Sequence, residues 1–305
     1  MPKPFVNWDE IMKLAMGGRR PFSGGPGGPQ RAAGEAPPSP YGMWDKGAPL
    51  YDQMAKMEAG YTLNQINCFE TSPEDTVLDC GCGPGRIVVP MAKRAKSVTA
   101  LDTSPKMLEF CAANAKAAGL TNVTTKLLDF NEVEIGKNLE KHDIVICSRS
   151  AGLMDLVKLS SMANKLVVSI IWAHGYLSIP AIIGKLFNGM EGVRGPGAGP
   201  GFMPPGDRRL GNNIIYNRTY DLGFNPNLKI VEDGFTKNFA SREEAYADLF
   251  LLRSMFNLEA TLPEEQMNIF KTNTDNFLTA NADGTVTFLS KTKTVVMWWD
   301  PQREE

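Results

Sequence analysis

The chain has 305 residues, and its 32 Lys and Arg against 34 Asp and Glu leave a formal charge of −2. Nucleic-acid affinity comes largely from clustered cations, so this balance gives no support to a phosphate-binding surface, and no nucleic-acid partner is expected. Hydrophobic residues at 43% and charged residues at 22% supply a core and exclude a disordered chain.

In chain order, Phe5, Val6, Trp8, Ile11, Leu14 and Met16 approximate one face of a short helix that docks on the body. Asp9, Glu10 and the lack of a long apolar region argue against a secretory signal in Met1–Met16. Glycine and proline fill 13 of the 24 positions from Gly17 to Pro40, which reads as a linker. The expected division is therefore 1–40 as helix and linker and 41–305 as the main domain. A helical pattern runs from about Trp44 to Phe69. From Thr76, strands at Val77-Leu78-Asp79, Ser97–Leu101, Val123–Leu128, Asp143–Cys147 and Leu166–Trp172 alternate with helices at Ile87–Ala95, Pro105–Ala118 and Leu153–Ala163. Apolar strands separated by helices predict an α/β fold, a doubly wound parallel sheet with helices on both faces. Its ligand crevice belongs at the strands' C-terminal ends.

The longest apolar stretch, Lys165–Gly184, contains Ser169, His174, Gly175, Ser178 and Pro180, so it is a poor membrane span and no membrane partner is expected. A second cluster puts Gly or Pro at 10 of 15 positions from Gly192 to Gly206, within an insertion at about 174–222 that reads as a lid, a surface loop or a homo-oligomer contact. A helix over Asn213–Leu222 and a strand over Leu228–Glu232 follow. Ser241 with Glu244 and Thr261 with Glu264 have capping-box spacing, and Thr285–Trp299 holds one or two strands. Five cysteines without paired spacing predict neither a disulfide framework nor a metal site, and make a reducing cytoplasm the default.

The most informative segment is Val77-Leu78-Asp79-Cys80-Gly81-Cys82-Gly83-Pro84-Gly85-Arg86, a strand entering a glycine turn and then a helix. Gly81 and Gly83 remove side chains where a ligand approaches the backbone, and Gly85 eases helix-on-strand packing. The spacing G-x-G-x-G differs from the dinucleotide G-x-G-x-x-G, and Asp79 would repel a pyrophosphate, so a ligand with a cationic end fits better. Asp102 ends the next strand, where a carboxylate can accept ribose hydroxyls.

With these residues in register, the chain resembles the class I S-adenosylmethionine-dependent methyltransferases of the small-molecule type, over about Trp44–Trp172. The resemblance implies a Rossmann-like sheet of seven strands, mostly parallel with an antiparallel last strand. It implies S-adenosyl-L-methionine as cofactor. Asp79, Gly81, Cys82, Gly83 and Gly85 would hold its methionine portion, with Ser148 at the amino group. Asp102 would lie at the ribose, Thr103 would also contact the cofactor, and Met107, Asp129 and Phe130 would lie at the adenine; plain core packing is an equal reading of Met107 and Phe130. Tyr51, in a helix similar to the family's cofactor lid, is a candidate near the sulfonium or else a surface aromatic.

The methyl acceptor is less legible. His142 begins the fourth strand, far from its functional end, and reads as structural. His174 follows the fifth strand and is a candidate base, set against a satisfied loop histidine. No Asn-Pro-Pro-aromatic motif follows the fourth strand, which argues against adenine or glutamine amides. Arg149 reads as a solvated residue, or as a grip for an anionic substrate. Trp172, Tyr176, Phe187, Arg194, Phe202, Tyr216 and Arg218 are possible lining groups. The leading expectation is a cytoplasmic methyltransferase acting on a small molecule; a noncatalytic cofactor-binding sensor is the alternative, and a nicotinamide oxidoreductase is disfavoured by the glycine spacing.

Overall fold

The computed structural model describes residues 6–8, 10–11, 42–173, 184–191, 193, 211–256 and 261–302. A long helix, Gly42–Ile66, precedes β1 (Thr76–Cys80), β2 (Ser97–Asp102), β3 (Val123–Leu127), β4 (His142–Ser148) and β5 (Ala163–Trp172). Helices Val88–Ala92, Pro105–Ala117 and Leu156–Ser161 connect them. After helix Gly211–Asp221 come β6 (Asn227–Phe239), helices Arg242–Phe250 and Glu264–Asp275, β7 (Leu278–Ala280) and β8 (Val286–Trp299).

The sheet runs β3-β2-β1-β4-β5-β8-β6, with short β7 added on β8. β1 to β5 are mutually parallel, and β8 is antiparallel to both β5 and β6. This is the doubly wound, Rossmann-like sheet with an antiparallel final strand that the sequence predicts. Alternation sends Leu78 and Val145 to a core on one face and Val77 and Ile144 to a core on the other. Trp8 and Ile11 pack against the first of these, and Trp8 Nε1 donates to Asp221 Oδ2 at 2.8 Å.

β6 is longer than the expected Leu228–Glu232, for a reason visible in the register, while β8 fills the expected Thr285–Trp299 segment as one strand. β5 ends where Trp172 pairs with Thr294, yet β8 and β6 remain paired from there out to Val286 and Phe239. Their free ends therefore rise past the C-terminal edge of the parallel strands, forming a wall beside the crevice. A third core lies on this wall, where Phe270 is 0% exposed and stacks on Phe187 and Phe250 at centroid distances of 5.1 and 5.2 Å. Ser241 caps its helix as expected, its hydroxyl accepting from Glu244 N, while Glu244 accepts from Ala240 N. Thr261 does not: Pro263 holds the cap position before Glu264, and no side chain bonds there.

Replacing Phe270 with Ala removes a ring shared by two aromatic neighbours and should cost about 3–5 kcal/mol of folding stability. A lowered denaturation midpoint in urea would show this; an unchanged midpoint would contradict the packing.

Candidate functional site

The glycine turn is built by the backbone of β2. Gly81 N and Cys82 N both donate to Leu101 O, at 2.8 and 3.0 Å, and Gly85 N closes a turn onto Cys82 O at 3.1 Å. Gly81, Gly83 and Gly85 all have positive φ, 76°, 52° and 90°, which side chains strain to adopt. A Cβ at Gly81 would lie 2.4 Å from that of Ser150, and one at Gly85 would lie 2.9 Å from Cys111 Sγ. These two glycines thus serve close packing. At Gly83 the nearest atom is Met107 Sδ at 4.0 Å.

Asp79 is the penultimate residue of β1, and neither of its carboxylate oxygens has a hydrogen-bond partner although the residue is 1% exposed. Burial pushes its pKa up to about 7, against the lowering field of Arg86 and with a further rise from Asp102. An orphaned carboxylate at a strand end is a place for a cation. Asp102 is better satisfied: its Oδ2 accepts from Gly83 N and its Oδ1 from Ser104 N, both at 2.9 Å. Burial raises its pKa, opposed by those bonds and one from Thr103 N. Gly83 and Asp102 are therefore one unit, tying the turn to the end of β2.

Met107 is 3% exposed on the following helix, beside Gly83. Asp129 is half-buried and its Oδ1 accepts from Asn131 N at 2.7 Å. Phe130 is 8% exposed within the core and packs against Gly152, where a Cβ would come within 3.3 Å of the ring. Ser148 Oγ accepts from Arg86 Nη2 at 2.6 Å. Together, Asp79, Asp102, Met107, Asp129 and Ser148 lie at or just beyond the C-terminal ends of β1 to β4, the edge where a parallel sheet binds ligands.

The helix Gly42–Ile66 crosses this edge. Asp45 Oδ1 accepts from Ser104 Oγ at 2.5 Å, and Asp52 Oδ1 accepts from Asn114 Nδ2 at 2.7 Å. Tyr51 lies seven residues before Glu58, about two helical turns, and so shares its face. Its ring meets Trp44 edge to face at 5.7 Å, and burial pushes its pKa up to about 12.

Arg149 differs from the solvated residue that the sequence suggests. Its φ is +52°, and its guanidinium lies 3.1 Å from the Trp172 ring centroid. It donates to Glu58 Oε2 at 2.9 Å, Asp233 Oδ2 at 2.7 Å and Thr294 Oγ1 at 3.0 Å. Those partners are 84 to 145 residues away in sequence, so no local signal marks the site. Arg86, unassigned from the sequence, joins the same group through Glu58 Oε1 at 3.1 Å. His142 is structural, as expected, with its ring between Thr99 Oγ1 and Glu140 O. Phe187 is core, and Arg218 donates to Met154 O. His174, Tyr176, Arg194 and Phe202 lie outside the described residues.

Strand order and the turns at the strands' C-terminal ends define a Rossmann-like domain. Residues 77–167 match the family model described as a methyltransferase domain, and this part of the chain is similar to the S-adenosylmethionine-dependent methyltransferases. An uncharacterized protein of Haemophilus influenzae is 27% identical over 264 residues, covering 85% of this chain and 89% of that one. A 23S rRNA (uracil(1939)-C(5))-methyltransferase RlmD of Photobacterium angustum is 42% identical over 59 residues, 19% of this chain and 27% of the enzyme. A probable cobalt-precorrin-6B C(15)-methyltransferase of Methanobrevibacter smithii is 33% identical over 79 residues, 26% of this chain and 42% of that one. This chain thus spans less than half the length of either named enzyme. The YcgJ structure from Bacillus subtilis aligns with a TM-score of 0.46 at 14% identity, covering 81% of this chain and 98% of that one. Among the described residues no helix is long and apolar enough to cross a membrane.

The residues present suit S-adenosylmethionine, because a buried carboxylate without hydrogen-bond partners, as at Asp79, fits a cationic group such as the cofactor's ammonium. The same carboxylate carries a cost without ligand. Its folded pKa near 7 exceeds the unfolded 3.8, so the native state binds more protons between these values and stability falls as pH rises through them. Asp79→Asn should raise the melting temperature of the ligand-free protein more at pH 8 than at pH 5. An equal change at both pH values would show that the carboxylate is not strained by burial.

Proposed function

We propose that this methyltransferase acts on a small-molecule acceptor, with the crevice residues in the following roles. Asp79 holds the cofactor ammonium, with Ser148 beside it and the backbone of Gly81, Cys82, Gly83 and Gly85 shaping the turn. Asp102 and Thr103 take the ribose hydroxyls. Met107 and Phe130 flank the adenine, and Asp129 accepts its amino group. When bound, S-adenosylmethionine supplies a methyl group made electrophilic by the sulfonium. The protein's task is then to exclude water and align the acceptor in line with the departing sulfur.

The observation that carries this reading is the buried, unpartnered Asp79 beside the Gly83–Asp102 unit. Tyr51, on the crevice-facing side of the N-terminal helix with its proton held firmly, offers a hydroxyl at neutral pH. His174, following β5, is the candidate base for an acceptor that keeps its proton. The formal charge of −2 favours a small acceptor over RNA, although relatives named as rRNA methyltransferases share short stretches with the chain. The acceptor side combines the N-terminal helix, the insertion at 174–222 and the β6–β8 wall. The protein's place of action is the cytoplasm.

Asp102→Ala should weaken S-adenosylmethionine binding by roughly 1–3 kcal/mol by calorimetry if its hydrogen bonds to the ribose are lost; unchanged affinity would remove that role. Incubating the protein with methyl-labelled cofactor and either metabolite extract or total RNA should label a metabolite, detected by mass spectrometry. Label in RNA alone would overturn the acceptor class. With that metabolite in hand, His174→Ala should slow turnover at unchanged cofactor affinity, and a wild-type rate would exclude it as base.

A further inference from the structure

Four charged side chains from four separate segments meet above the end of β4: Glu58 of the N-terminal helix, Arg86 after the glycine turn, Arg149 after β4, and Asp233 of β6. Glu58 Oε1 lies 3.1 Å from Arg86 Nη1 and 2.9 Å from Arg149 Nη2, and Asp233 closes the group on Arg149. Their side chains are 2% exposed at Glu58, 11% at Arg86, 16% at Arg149 and 0% at Asp233. Gln65 and Thr62 complete the shell around Arg86, which donates to Gln65 Oε1 at 2.7 Å and Thr62 Oγ1 at 3.2 Å.

Desolvating such groups offsets most of their mutual attraction, and well-packed apolar side chains would often be at least as stable. What the network does supply is a fixed geometry. Arg149 holds a left-handed backbone, and the residues on either side of it reach the glycine turn. Ser148 accepts from Arg86, while Ser150 donates to Cys80 O at 2.6 Å and packs against Gly81. The position of Glu58 on the N-terminal helix is thereby linked through Arg149 and Arg86 to both ends of the turn.

We propose that Glu58, Arg86, Arg149 and Asp233 form the positioning network of the cofactor site: Glu58 locks the N-terminal helix to the glycine turn and balances the cationic field that Arg86 exerts on Asp79. This rests on the assignment of Asp79 to the cofactor ammonium. Opposing charges leave Glu58 ionised, for although burial raises its pKa, Arg149 and Arg86 bring it down to about 2. The charged or titratable groups acting with Asp79 are Arg86, Asp102, Cys80, Cys82 and Cys147. Of these, Arg86 is the cation, and apart from Asp79 its counter-charges are Glu58 first and Asp233 second.

Removing the Glu58 counter-charge leaves Arg86 and Arg149 less balanced, which favours the ionised form of Asp79. The affinity of full-length wild-type protein for S-adenosylmethionine should fall as pH is lowered through Asp79's pKa. In Glu58→Gln this fall should move to lower pH by roughly half a unit or more. Amide exchange at Gly81–Gly85 and Ser148–Ser150 should quicken about tenfold in the same variant. Asp233→Asn, which keeps Glu58, should shift both readouts in the same direction by less, and serves if Glu58→Gln does not fold. A lowered melting temperature with the wild-type pH profile and wild-type exchange at the turn would overturn the inference and leave a purely structural network. Failure of the wild-type protein to bind the cofactor would instead overturn the functional reading beneath it.

Discussion

A carboxylate with no partner, sealed at the end of a central strand, is the constraint around which this structure is organised. Asp79 sits on β1 between β2 and β4, both oxygens unbonded. Burial raises its pKa into the neutral range, so its ionised form is held at a cost. The turn that follows cannot relieve it, because its amide groups are committed elsewhere: Gly81 and Cys82 to Leu101, Gly83 to Asp102, Gly85 to Cys82. The chain thus buries a carboxylate without hydrogen-bond partners at the strand end and fixes the adjoining backbone around it. A ligand with a cationic end relieves that cost on binding. This is preorganisation achieved by withholding hydrogen bonds from one side chain and supplying them to all its neighbours.

The cations needed nearby are held so that they do not neutralise this charge outright. Arg86 and Arg149 are taken up by Glu58 and Asp233, carboxylates from the N-terminal helix and from the edge strand β6. The same bonds assemble the crevice from parts that the parallel sheet alone would not bring together. Helix Gly42–Ile66 spans it, with Asp45 and Asp52 bonded to Ser104 and Asn114 on one side and Gln53 bonded to Asp248 on the other. Trp172, under Arg149 and 6.0 Å from Phe235, joins this ionic group to the aromatic core of the β6–β8 wall. The strand-end residues and the β6–β8 wall therefore share a common support.

How much of this was legible in sequence depended on whether a feature is local. Apolar strands with intervening helices marked the parallel half of the sheet, and the run from Val77 to Arg86 marked the glycine turn, because those signals are written in consecutive residues. The wall was read only in part. Beyond the end of β5 its strands lose one neighbour, and their Lys, Glu and Thr residues blur the pattern that marks a buried strand; only Leu228–Glu232 stood out from the thirteen residues of β6. Three-residue β7 is too short to leave a periodic signal. Arg149 read as solvated because a lone arginine after a strand has that environment by default, and its burial depends on Glu58, Asp233 and Thr294, each from a different element. Thr261 had the spacing of a cap but not the place, since Pro263 stands immediately before the helix.

The central claim, that Asp79 is kept unpaired to receive a cationic cofactor, is tested most directly by proton release. At pH 6 the buried Asp79 of the ligand-free protein is mostly protonated, whereas the amino group of S-adenosylmethionine is already charged, α-amino groups titrating near about 8. Calorimetric titration with the cofactor at that pH, in buffers of different ionisation enthalpy, should register close to one proton released per site. Asp79→Asn, where it still binds, should release less. Binding to the wild-type protein without proton release, or with a release that the Asn variant retains in full, would contradict the account.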